Sequence, residues 1–287
     1  MHWTERRQKF RAIIRGKRCF HPGSVFDPIS ARIAEDVGFE IGMFAGSMAS
    51  LAVLGAPDII LLTLSEFAGQ AYRINRAGNL PLLVDADHGY GNAMNVMRTV
   101  DELETAGVAA LTIEDTELPA AFASTAPRLV SIEEGVGKMR AALAARHDPE
   151  LVIVGRTAAP SLTSIEDAIA RAKAYAATGV DALFFVGVRK RAELDAIAAA
   201  VTLPIIIGGG GPELDDKDYL AARGVRVALQ GHQPIMAAVE AVHATLKALR
   251  DGAKPASLPG VASAERMRQV TRDDTYKRWA DEFLRPK

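Results

Sequence analysis

Leu80-Pro81-Leu82-Leu83-Val84-Asp85-Ala86-Asp87-His88-Gly89-Tyr90-Gly91-Asn92 runs from apolar residues into two acids and then breaks into glycines. A short apolar run bounded by turn residues reads as a buried strand, here over 81–87. Side chains alternate along a strand, so Asp85 and Asp87 are expected to point the same way at its C-terminal end. Carboxylates this close repel unless positive charge lies between them, and the simplest candidate is a hard divalent cation, Mg²⁺ first. Gly89 and Gly91 let the backbone turn sharply just beyond. The plainer alternative is a pair of solvated acids in an ordinary strand-to-helix turn.

The same unit recurs on both sides of this stretch. Strands are expected over 19–26, 39–44, 81–87, 109–115, 151–156, 182–186, 203–207 and 225–230, each followed by a helical segment. Several are apolar throughout, as strands buried on both faces should be. Helix starts are marked by Thr63 or Ser65, by Ser131 with Glu134, and by Ser164 with Asp167. Eight strand–helix units favour a closed parallel barrel of the (β/α)₈ TIM type, an α/β fold with its helices outside. An open doubly wound sheet is the competitor, but no Gly-x-Gly-x-x-Gly sits in the first strand–helix turn. The barrel is expected to occupy residues 1–250. A linker with Pro255, Pro259 and Gly260 then leads into an extra C-terminal helical segment within 251–287. One helix is expected from Ser263 to Leu284, with Met267, Val270, Tyr276, Trp279 and Phe283 as apolar points that seek the barrel or a second subunit.

The chain has 287 residues, 49% of them hydrophobic, and a net charge of −1. A near-neutral surface argues against nucleic acid or an anionic membrane as partner. Cys19 is the single cysteine, which excludes an intrachain disulfide framework and a Cys-rich zinc site. No apolar run reaches transmembrane length. The stretch from Met1 to Lys17 is basic but lacks an apolar region with a cleavage site, so it is not read as a secretory signal, and a cytoplasmic location is expected.

In a barrel of this kind the C-terminal strand ends share one mouth. Those ends carry Ser47, Asp85, Asp87, Glu114, Asp115, Arg156 and His232. Each has an ordinary reading: Ser47 or His232 as a helix cap, Glu114 as a solvated acid, Arg156 as half of an ion pair. Together they suggest Mg²⁺ held through Asp85, with Asp58, Asp87 and Glu114 reaching it through water, because Mg²⁺ keeps several of its waters. Arg156 offers a forked donor suited to a carboxylate. Ser47 and nearby N–H groups suit a second carboxylate or an enolate oxygen. His232 can bind a carboxylate or act as acid or base. The expected substrate is a small acid with two anionic groups and a keto oxygen.

Gly46-Ser47, Asp85 to Asn92, Ile113-Glu114-Asp115, Glu133-Glu134-Gly135-Val136-Gly137-Lys138 and Arg156-Thr157 resemble the isocitrate lyase/phosphoenolpyruvate mutase superfamily over roughly Arg11 to Leu249. Ser24 to Pro28, Thr63 to Phe67 and Gly231-His232 look most like its bacterial oxaloacetate decarboxylase branch. The resemblance implies substrate contacts at Ser47, Arg156 and His232, and a Mg²⁺ ligand at Asp85, with Mn²⁺ as the substitute ion. It also implies a homotetramer, a dimer of dimers, in which the C-terminal helices are exchanged.

The departures narrow the chemistry. The segment from Glu117 to Leu129 has neither the Cys nor the His of the C–C lyases. Thr116, Leu118 and Ala121 stand where the mutase carries Lys and Asn. Ala158 replaces an expected Asn, and Gly208 to Gly211 replace an expected Tyr-Gly-Asn turn. The implied reaction is Mg²⁺-dependent decarboxylation of oxaloacetate to pyruvate and CO₂ through a metal-stabilised enolate. The alternatives are another 2-keto acid or substituted-malate lyase or hydrolase of the same superfamily, or a catalytically weak barrel that binds its ligand. The open glycines suit a bulkier substrate, or a phosphate held by backbone N–H groups.

Overall fold

The computed structural model describes residues 3–124 and 126–285. Met1, at the start of the basic N-terminal stretch, and Thr125, within the segment from Glu117 to Leu129, lie outside the described residues. Eight strands pair in sequence order, all parallel: β1 (Gly23–Ser24), β2 (Gly42–Phe44), β3 (Leu82–Asp85), β4 (Ala110–Glu114), β5 (Val152–Thr157), β6 (Ala182–Val186), β7 (Ile205–Gly208) and β8 (Val225–Ala228). Phe20 closes the ring against β8: its N–H donates to Arg226 O and its carbonyl accepts from Ala228 N, both at 2.9 Å. The expected (β/α)₈ barrel is the observed fold.

The apolar runs explain why the strands lie where they do. Every residue of β4 is buried, and in β3 only the terminal Asp85 is not. Strands covered by helices outside and side chains inside have no polar face to offer. Helices begin where the cap residues predict. Thr63 closes a full capping box with Glu66, each side chain bonded to the other's backbone N–H at 3.3 and 2.9 Å. Ser131 and Ser164 each accept from the N–H three residues on.

The chain divides into two compact units, Met1–Gly231 and His232–Lys287. The first contains all eight strands. The second begins with the helix Gln233–Arg250, whose Met236, Val239, Val242 and Leu246 are exposed and spaced to share one face. The expected single helix from Ser263 to Leu284 is two helices, Ala264–Thr271 and Asp273–Phe283, broken at Arg272 with φ at +62°. The break has local causes. Arg272 Nη1 caps Gln269 O at 2.9 Å, and Asp273 and Asp274 suit the positive end of a new helix. Among the described residues no helix is long and apolar enough to cross a membrane.

Candidate active site

The adjoining ends of β3, β4 and β5 bring three charged side chains together. The strand register sets Asp85 beside Thr112 and Glu114 beside Arg156. Arg156 bonds Asp85 Oδ2 through Nη1 and pairs with Glu114 Oε2 through Nη2 at 2.9 Å. Asp85 Oδ1 accepts from Thr112 Oγ1 at 3.0 Å and from Asp87 N at 3.3 Å. The guanidinium lies over the Phe184 ring, 5.3 Å from its centre, and its buried Nε has no partner among the described residues. Burial opposes the charge of Arg156, but Asp85 and Glu114 outweigh it and raise its pKa.

Asp87 joins this group by a different route from the one alternation predicts. β3 ends at Asp85, and Asp87 sits in the left-handed region with φ +48°. Its position requires Gly46, because a Cβ there would lie 2.5 Å from Asp87 Oδ2. Burial, then repulsion from Asp85, Glu114 and Asp58, pushes the Asp87 carboxyl well above the usual range against the opposing pull of Arg156. Glu114 is pushed up to about 7, with burial the largest cause, Arg156 working against it and Asp85 adding to it. Burial, and then Asp87, Asp85 and Asp58, also raise the Tyr90 phenol. Tyr90 Oη is buried and has no hydrogen-bond partner among the described residues.

These shifts have a chemical meaning. Asp58, Asp85, Asp87 and Glu114 act on one another, and Arg156 is the cation that bonds directly to two of them. Burial first, and then the neighbouring negative charge, disfavours the charged form of Asp87 and of Glu114. A hard divalent cation would offset that negative charge. Among the described residues no three His, Cys, Asp or Glu side chains are gathered into a cage. Mg²⁺ keeps several of its waters, so few direct ligands are needed. The all-oxygen donors at these strand ends are of the kind such an ion takes.

The remaining expected residues fall in several places. Ser47 is half-buried in the four-residue helix Gly46–Ala49 that follows β2, next to the glycine that admits Asp87. Asp115 turns away from Glu114: it is fully buried, accepts from Tyr175 Oη at 2.8 Å and pairs with Arg171 at 3.1 Å. Both partners belong to the helix Ile165–Ala176, so Asp115 braces the helical layer and does not face the mouth. His232 is the first residue of the second unit and precedes the helix Gln233–Arg250 without capping it by its side chain. Of Gly208 to Gly211, Gly209 and Gly210 line a cavity of about 420 Å³, with His21, Asp215, Gln230 and Gly231. The Asp215 carboxylate in that lining disfavours a phosphate there. Thr112 and Phe184 were not anticipated. Thr112 was readable, since a residue two before Glu114 shares its face. Phe184 had no local signal.

The chain is similar to several known proteins. Residues 10–250 match the family described as phosphoenolpyruvate phosphomutase. The oxaloacetate decarboxylase of Bradyrhizobium diazoefficiens is 63% identical over 282 residues, covering 98% of each chain. The crystal structure of phosphoenolpyruvate phosphomutase from Streptomyces platensis subsp. rosaceus superposes with a TM-score of 0.87 at 28% identity, covering 97% of this chain and 99% of that one. A phosphonopyruvate hydrolase in complex with oxalate and Mg²⁺ gives a TM-score of 0.85, also at 28% identity, covering 98% and 99%.

Proposed function

The chain belongs to the phosphoenolpyruvate phosphomutase family, and we propose that within it this protein is a carboxy-lyase that decarboxylates oxaloacetate to pyruvate and CO₂. The observation that carries the reading is the meeting of Asp85, Glu114 and Arg156 at adjoining strand ends. A forked cation among carboxylates supports a substrate-carboxylate clamp beside an ion seat. The near full-length identity to a protein named oxaloacetate decarboxylase supports the same substrate. The solved relative that holds oxalate and Mg²⁺ supports the ion, since oxalate has the shape of a chelating keto acid.

Asp85 would hold a divalent cation, Mg²⁺ or Mn²⁺, with Asp58, Asp87 and Glu114 reaching it through water, and the ion would supply Lewis-acid withdrawal of charge from a keto oxygen. Arg156 grips a substrate carboxylate through the guanidinium that Phe184 supports and Asp85 and Glu114 orient. The bonding electrons of C3–C4 pass toward C2 and the keto oxygen, where Ser47 and the adjoining N–H groups meet the charge. CO₂ departs, and C3 takes a proton from water or from His232. By its place after β8 in sequence, His232 is also assigned to the leaving carboxylate. Residues 251–287 are assigned to contacts between the subunits of a cytoplasmic homotetramer.

The glycines after β7, of which Gly209 and Gly210 line a cavity that neither Asp85 nor Arg156 lines, motivate one further reading, a keto acid with a larger C3 substituent. Release of CO₂ from oxaloacetate and from a panel of C3-substituted oxaloacetates, with and without chelator, tests both. CO₂ release from oxaloacetate that vanishes on chelation supports the first. Faster turnover of a substituted acid replaces it with the second.

A further inference from the structure

The turn after β3 concentrates backbone strain. Of the five non-glycine residues with positive φ among the described residues, two lie here, Asp87 at +48° and Tyr90 at +60°. Gly89 at +80° and Gly91 at +149° complete the run. Left-handed conformations are unfavourable for residues with a Cβ and persist only where the surroundings hold them. Three successive carbonyls of this turn are each taken by a donor from a different element. Asp87 O accepts from Glu114 N at 2.9 Å. His88 O accepts from Lys138 Nζ at 3.1 Å, and Gly89 O from Thr99 Oγ1 at 3.0 Å.

The last two donors are side chains from the helices packed behind the turn, Ile132–Ala145 and Ala93–Thr105. Both are buried: Lys138 is 2% exposed and Thr99 fully enclosed. Burying an ammonium is unfavourable unless it is well bonded, and a Met would fill much the same space without that penalty. Lys138 instead directs its charge at one backbone oxygen, that of the residue next to Asp87. It is also the last residue of the Glu133 to Lys138 motif, which the reaction itself does not use.

We propose that Lys138 and Thr99 are positioning residues: their bonds to His88 O and Gly89 O hold the turn left-handed and so keep Asp85 and Asp87 aimed at a common ion. The inference rests on the reading of Asp85 as a divalent-cation ligand.

The test titrates the full chain with Mn²⁺, following the free-ion EPR signal, beside kcat and KM for oxaloacetate and the melting temperature. Thr99→Val removes the hydroxyl at constant shape, Thr99→Ser restores it, and Lys138→Met removes the ammonium. Thr99→Val and Lys138→Met are expected to weaken Mn²⁺ binding about tenfold and to lower kcat, while Thr99→Ser binds within about twofold of the parent. Normal Mn²⁺ affinity and kcat in Thr99→Val, with only the melting temperature lowered, would reduce the residue to a structural role and overturn the proposal. Asp85→Asn separates the two levels. If it loses Mn²⁺ and the Thr99 and Lys138 variants do not, this inference alone fails; if the parent chain binds no Mn²⁺, the ion seat fails and takes the inference with it. Should Lys138→Met not fold, the Val and Ser pair at Thr99 decides.

Discussion

Gly46→Ala probes the acidic cluster with a single methyl group. The new Cβ would lie 2.5 Å from Asp87 Oδ2, 2.9 Å from Oδ1 and 3.0 Å from Cγ. Ordinary contact begins near 3.4 Å, so the Asp87 carboxyl must retreat by about 0.9 Å. The atom that yields is the end of a side chain, so the fold should tolerate the change at about 1 kcal/mol, the low end for overpacking. In a large domain that lowers the melting temperature by about 2–4 °C. Catalysis should suffer more. A misplacement near 1 Å costs about 100-fold, and disturbing a group that orients an ion's surroundings costs about 10–100-fold. A coupled pyruvate assay should therefore show kcat/KM down about 10–100-fold in a protein that melts almost normally. Wild-type kcat/KM would refute the claim that the position of Asp87 matters. A loss of several kcal/mol of stability would show that Gly46 serves the fold instead.

Other consequences are independent of that one. Arg156→Met removes a cation bonded to one buried and one part-buried carboxylate, worth about 2–5 kcal/mol, so kcat/KM should fall at least about thirtyfold, with KM raised; an unchanged KM would contradict a carboxylate clamp. Asp115→Asn should leave KM unchanged and cost about 3 kcal/mol in urea unfolding, because Arg171 loses one buried partner and keeps Asp167. Burial and then the charge of Lys138 lower the His88 pKa to about 4 from its usual 6.5. Between those values the unfolded chain binds the proton and the folded chain does not, so this contribution to stability is full above about pH 6.5 and lost as pH falls toward 4. Urea unfolding at pH 7 and pH 5 should show a smaller drop in His88→Gln than in the parent.

What could be read from the sequence follows from which constraints are local. The lengths of the apolar runs set the strand ends, so Asp85, Glu114 and Arg156 were legible as rim residues before any geometry. The period of two also separates Glu114 from Asp115, yet both had been assigned to the mouth; Asp115 belongs with Arg171 and Tyr175. Asp87 joins Asp85 as expected but not through that period, because β3 stops at Asp85 and a left-handed turn brings Asp87 there. The reason for Gly135 was out of reach altogether: a Cβ there would strike the Tyr175 hydroxyl that bonds Asp115, a partner forty residues along. In the tail, apolar spacing alone could not reveal the left-handed break at Arg272.

The most direct test follows pyruvate release from oxaloacetate by the parent chain and by Asp85→Asn, first with EDTA and then with Mg²⁺ restored. Turnover should be abolished by EDTA, recover with Mg²⁺ in the parent, and stay at the level of free metal in Asp85→Asn. Turnover indifferent to EDTA, or an Asp85→Asn chain as active as the parent, would contradict an ion-assisted decarboxylation seated on Asp85.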